Sequence, residues 1–146
     1  MSAAGNKGFT LIELLVVVAI IAIATAGVSF ALRDSQATQL EREAQRLAAL
    51  LESARAQSRA TGVPVRWRAG DGGFHFEGVQ EGSMPDRWLS PDTHVQGGTG
   101  LLVLGPEPII GRQDVVIGAA NAPGRLLRIA TDGLRPFRVA PAEAGP

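Results

Sequence analysis

The chain has 146 residues, enough for one modest domain and an appendage. Its 14 Lys and Arg balance 14 Asp and Glu, which excludes a bulk electrostatic pull toward nucleic acid or an anionic membrane. Cysteine is absent, so neither a disulfide nor a thiolate metal site is available to the fold.

The apolar residues concentrate near the N-terminus. Phe9 to Leu32 contains no charge except Glu13, and no proline. About 24 residues at 1.5 Å each make a helix of roughly 36 Å, enough to cross a hydrocarbon core of about 30 Å. A core helix of a small soluble domain is rarely apolar on every face. The rival is a secretory signal peptide, for which Ala24, Thr25 and Ala26 offer small residues at a cleavage site. Against it stand the minimal basic leader, Lys7, and the acid inside the apolar run. On hydropathy alone, anchor and cleaved signal stand level.

From Arg33 to Thr61 there is no Gly or Pro, and good helix formers dominate. Leu40, Ala44, Leu47, Leu51 and Ala54 recur at alternating spacings of four and three, which lays one apolar stripe along a helix. Glu41, Arg42, Glu43, Arg46, Glu52, Arg55 and Arg59 are expected mainly off that stripe. Glu43–Arg46 and Glu52–Arg55 are spaced to pair at i,i+3. The stripe is too short for the sustained heptads of a coiled coil, so it is expected to pack on the domain that follows. Gly62 and Pro64 signal the stop. One continuous helix from Phe9 to Thr61 would be on the order of 80 Å long.

Beyond Gly62 the period becomes that of strands. Val63, Val65 and Trp67 alternate with polar residues or proline, "AGDGG" follows as a turn, and Phe74 and Phe76 then alternate with His75 and Glu77, predicting a hairpin with its aromatics on one face. Leu101–Gly105 and Asp114–Gly118 each predict a short buried strand. Arg125–Val139 predicts strand, "TDG" turn, strand. "APAEAGP" at the end is expected to fray. The fold class is therefore α+β: a long N-terminal transmembrane and stalk helix, then an antiparallel β-sandwich-like domain. The expected divisions are a membrane half at 9–32, an amphipathic helix half at 33–61 and a β-rich domain at 62–146.

Little in this domain suggests chemistry. His75 and His94 lie in no ligand-spaced cluster, and His75 is expected to point outward from its strand. Neither a nucleophile elbow nor a P-loop occurs, and the aspartates lack EF-hand spacing. No metal, cofactor or catalytic residue is expected. Arg125, Arg128, Arg135 and Arg138 flank one hairpin, and a solvated sheet face is the expected reading, with no nucleic-acid partner.

"GFTLIELLVVVAIIAI" resembles the class III leader junction and first helix of type IV pilins and pseudopilins: glycine, phenylalanine, then an apolar helix with glutamate as the fifth residue after the glycine. The resemblance implies a leader at residues 1–8, removed by a prepilin peptidase between Gly8 and Phe9, with N-methylation of Phe9 and retention of the helix. The retained helix favours the anchor over the signal. Glu13 is then the acid thought to pair with the terminal amine of a neighbouring subunit, which makes it a register device for assembly. The stretches "AQRLAALLESARAQSRATGVPVRW", "GFHFEG", "LVLGPEPIIG" and "TDGLRPFRV" are similar to the H-type minor pseudopilin of the type II secretion system. This implies a non-enzymatic subunit, single-pass in the inner membrane with its C-terminal domain in the periplasm. It would be assembled with other major and minor pseudopilins into a pseudopilus that exports folded proteins. The nearer alternative is a minor pilin of a type IV pilus, serving pilus assembly or DNA uptake, and the remoter one is a secreted enzyme behind a cleaved signal.

Overall fold

The structure is a computed structural model that describes residues 8–142, with Arg33 described by its backbone alone. The expected leader up to Lys7 and the tail at 143–146 lie outside the described residues. Helix α1 runs from Leu11 to Thr61, 51 residues. The chain divides into two compact units, Met1–Ser35 and Gln36–Pro146.

In the first unit every described side chain from Phe9 to Leu32 is exposed, including Leu11, Ile12, Ile20, Ile23 and Phe30. Two hydroxyls within α1 interrupt this apolar surface, and both are satisfied inside the helix: Thr25 Oγ1 donates to the Ile21 carbonyl at 2.7 Å and Ser29 Oγ to the Thr25 carbonyl at 3.0 Å. Such bonds back to the preceding turn keep polar groups paired where no water is at hand.

In the second unit, Leu40, Ala44, Leu47, Leu51 and Ala54 are all buried, so the stripe read from spacing is the core face of α1. The helix ends where Gly62, in the left-handed region at φ +72°, donates its N–H to the Ser58 carbonyl at 2.9 Å. Seven strands follow among the described residues: β1 (Arg66–Gly70), β2 (Gly73–Glu77), β3 (Thr93–Gly98), β4 (Leu101–Val103), β5 (Gln113–Ala119), β6 (Leu126–Thr131) and β7 (Arg138–Ala142). They form two antiparallel sheets, ordered β2-β1-β4 and β3-β5-β6-β7. This is the expected α+β architecture. Trp67, Phe74 and Trp88 form an aromatic cluster in the core, with the rings of Phe74 and Trp88 edge-on at 4.7 Å. The Gln113 side chain ties the sheets together: its amide accepts from Val103 N at 2.9 Å and donates to Val103 O at 2.6 Å, acting as one residue of strand on the β4 edge.

Several expectations need correction. The first strand begins at Arg66, not Val63, because Pro64 has no N–H to enter the ladder and Ser58 Oγ holds the Val63 carbonyl at 2.6 Å. Strand β3 was not expected: "THVQGG" is polar and glycine-rich, and it pairs through a bulge between Val95 and Gly97. Ala140, Pro141 and Ala142 do not belong to a frayed tail: they pair with β6 as an edge strand, where proline is tolerated.

The largest correction concerns charge. Glu43 and Arg55 were placed off the stripe, yet they are 2% and 3% exposed. Each joins α1 to loops far along the chain. Glu43 Oε1 accepts from Arg46 Nη1 at 3.0 Å, and Oε2 accepts from Leu89 N at 2.7 Å. Arg46 Nη1 donates also to the Arg87 carbonyl at 3.1 Å, so the pair closes the loop carrying Trp88 over the aromatic cluster. Arg55 donates to the carbonyls of Gly133 at 2.8 Å and of Pro108 and Arg135 at 3.3 Å each, while Glu52 Oε1 accepts from Phe137 N at 2.9 Å. Gly133, at φ +93°, must be glycine because a Cβ there would strike the Ile110 carbonyl oxygen. The turn after it is set by Asp132, whose Oδ1 accepts from Arg135 N at 2.7 Å and Leu134 N at 2.9 Å.

Two outcomes follow. Arg55→Met keeps the aliphatic stem but strands one buried carbonyl and two part-buried ones, and should cost roughly 3 kcal/mol in a thermal or urea melt. The exposed control Arg66→Met should stay within about 0.5 kcal/mol. The amides of Arg135 and Leu134 hold the Asp132 carboxyl below its usual value of 3.8. A depressed carboxylate stabilises above the unfolded value and loses that stabilisation as pH falls through the folded one. The melting temperature should therefore drop as pH falls below about 4, and Asp132→Asn should flatten that part of the profile.

Candidate functional site

The residues singled out for function lie at the start of α1. Gly8, Phe9 and Thr10 precede the helix without regular structure, and all are exposed. A Cβ built on Gly8 would meet nothing within 4 Å, and its backbone does not occupy the left-handed region. The fold therefore places no demand for glycine there. Any requirement at Gly8 must come from something that handles this backbone from outside.

Glu13 sits in the first turn of α1. The four unpaired amides and the aligned peptide dipoles of a helix start favour a carboxylate at this point. Thr10 supplies the cap: its Oγ1 accepts from Glu13 N at 3.3 Å, and its carbonyl accepts from Leu14 N at 3.1 Å. Thr10-Leu11-Ile12-Glu13 is thus a T-x-x-E capping sequence, a local signal that hydropathy reading passes over. Among the described residues the Glu13 carboxylate has no ion-pair or hydrogen-bond partner, so its charge remains available to a group outside them. Cleavage before Phe9 would create an amine four residues upstream of Glu13, beside the same helix end.

The segment behind this start is long and apolar enough to cross a membrane, and none of its apolar stretch is buried. A core helix would have been covered by its own domain; this one is bare. Residues 4–29 match the family model described as the prokaryotic N-terminal methylation motif. The chain carries the N-terminal signal of type IV pilin-like proteins. The match embraces Gly8, Phe9 and Glu13 and stops short of the β-rich unit. No curated protein and no solved structure matches the chain.

In the β-rich unit the histidines are exposed strand residues, His75 lying 3.6 Å from Glu77. Among the described residues, no three His, Asp or Glu side chains gather as a metal site. Of the arginines, Arg128 and Arg135 face Asp114 and Asp132 at 3.5 and 3.8 Å, and Arg125 faces Glu41 at 3.9 Å.

Thr10→Val removes the cap acceptor while keeping the side-chain shape, so the first turn should loosen by about 1 kcal/mol. Amide exchange at Glu13, read in detergent or bilayer, should quicken roughly fivefold, with amides in the middle of α1 unaffected.

Proposed function

We propose that the protein is a minor pseudopilin of the type II secretion system, a structural subunit without catalytic activity. It would be held in the inner membrane by the first half of α1 and assembled into a periplasmic pseudopilus that exports folded proteins. The observation that carries this reading is the methylation motif seated on a helix start whose glycine the fold does not need and whose carboxylate has no partner among the described residues. A peptidase that must approach the backbone closely explains the glycine, since a side chain beside the cut would intrude. A neighbouring subunit's terminal amine explains the acid. A charge pair in an apolar bundle favours one register strongly, because missing it leaves a charge uncompensated. The stretches similar to the H-type subunit support the pseudopilus over the pilus. A minor type IV pilin is the second reading, favoured by the fact that the same N-terminal motif serves both systems.

In this reading the cut falls between Gly8 and Phe9, and Phe9 is methylated. Gly8→Val should leave an intact precursor in the membrane fraction, with folding of the β-rich unit unchanged; mature protein beginning at Phe9 in that variant would remove the role of Gly8. Glu13→Leu makes the segment more apolar, so membrane insertion should hold and processing should continue. Crosslinking to other pseudopilins, and secretion with it, should fall. Wild-type crosslinking and secretion in Glu13→Leu would reduce Glu13 to a helix-start residue.

A further inference from the structure

We infer that the loops around Ile109 and Leu134 in the β-rich unit, with the arginine cleft they run into, are a docking surface for a protein segment that presents carboxylates beside an aliphatic side chain. The inference stands on the geometry of this unit and does not depend on which filament, if any, the chain enters.

Two loops build the surface, and Arg55 locks them together. One Arg55 nitrogen, Nη2, donates to both the Pro108 carbonyl at 3.3 Å and the Gly133 carbonyl at 2.8 Å. Ile110 N donates to that same Gly133 oxygen at 3.3 Å. The two Asp132 bonds fix the turn that follows. On this rigid base each loop holds one large apolar side chain in solvent: Ile109 is 66% exposed and Leu134 68%. Scattered exposed apolar residues are ordinary. Here, however, the two lie on joined loops whose backbone is already ordered, so a partner would meet little ordering cost.

The same two loops run on into a shallow cleft of about 290 Å³, which Arg112 lines from the first and Asp132, Arg135 and Pro136 from the second. Its charged lining is Arg112, Arg128, Arg135 and Arg138 against Asp114 and Asp132, an excess of two positive charges, with Ala130 among the small residues between them. Arg128 and Arg135 face the two aspartates. Arg112 and Arg138 are exposed and have no ion pair among the described residues. Two planar forks stand free at a cleft that is otherwise balanced, a setting suited to carboxylates. Arginine flanked by exposed aliphatic side chains on an ordered surface is the composition of protein–protein hot spots.

The two aspartates decide the class of partner. A run of phosphates laid across the cleft would meet Asp114 and Asp132 and gain nothing from Ile109 or Leu134. With a formal net charge of zero, the chain also lacks the long-range field that draws in nucleic acid. A protein segment can set its acids opposite Arg112 and Arg138 and its apolar residue against the loop tips.

The test places the photo-crosslinker benzoylphenylalanine at Leu134 in the full chain in its native membrane, with His75, exposed on the other sheet, as the control position. The expected adduct joins Leu134 to a peptide of a different protein that carries Asp or Glu near an aliphatic residue. Its yield should fall at least fivefold in Arg112→Glu with Arg138→Glu, and less in the neutral pair Arg112→Gln with Arg138→Gln. Reversing the mapped partner carboxylate to arginine should restore it. The two arginines are exposed, and an unchanged melting temperature verifies that the variants fold. A yield at Leu134 no greater than at His75, a yield indifferent to charge reversal, or adducts to nucleic acid, lipid or a second copy of this chain would each overturn the inference.

Discussion

A buried charged side chain is costly unless it is paired and hydrogen-bonded, and that constraint organises the β-rich unit. Glu43 and Arg55 sit on the core face of α1, three turns apart, and each draws in backbone from a distant part of the chain. Glu43, helped by Arg46, fixes the loop that carries Trp88. Arg55, helped by Glu52, fixes the loops that carry Ile109 and Leu134. The apolar stripe supplies the area of contact between helix and sheets, but area is not directional. The hydrogen bonds to named carbonyls and amides decide how irregular loops sit on that stripe. The exposed tips at Ile109 and Leu134 inherit their order from Arg55 and its neighbour Glu52.

The regular parts of this fold were legible because their causes are local. The stripe of Leu40, Ala44, Leu47, Leu51 and Ala54, the stop at Gly62, and the aromatics of β1 and β2 follow from periods of 3.6 and 2 and from turn chemistry. The misses share a different cause. Glu43 and Arg55 look like solvent-facing charges because their partners lie 46 to 80 residues away, beyond any local pattern. Strand β3 does alternate, but with Thr93, Val95 and Gly97 as its inward residues the apolar signal is too weak to mark a strand. Thr10 was legible in principle, as the first residue of a capping sequence, but the apolar run beside it dominates a hydropathy reading.

The two units answer to different surroundings. Residues from Gln36 onward bury their apolar stripe within their own unit. The segment from Phe9 to Leu32 buries none of its apolar surface and pairs its hydroxyls internally, as a helix without water must. Gly8 adds a third kind of demand. It is free of steric pressure from the fold, so under the proposed function its place in the motif would belong to recognition by the peptidase. The family motif lies at the N-terminal junction and stops short of the β-rich unit.

The retained helix is the central claim, and the N-terminus of the mature wild-type protein tests it most directly. Mass spectrometry of protein isolated from membranes should find a chain that begins at Phe9, carries one methyl group on its terminal amine and keeps all of α1. A mature chain that begins near Gly27 would make the apolar segment a discarded signal and would contradict the account.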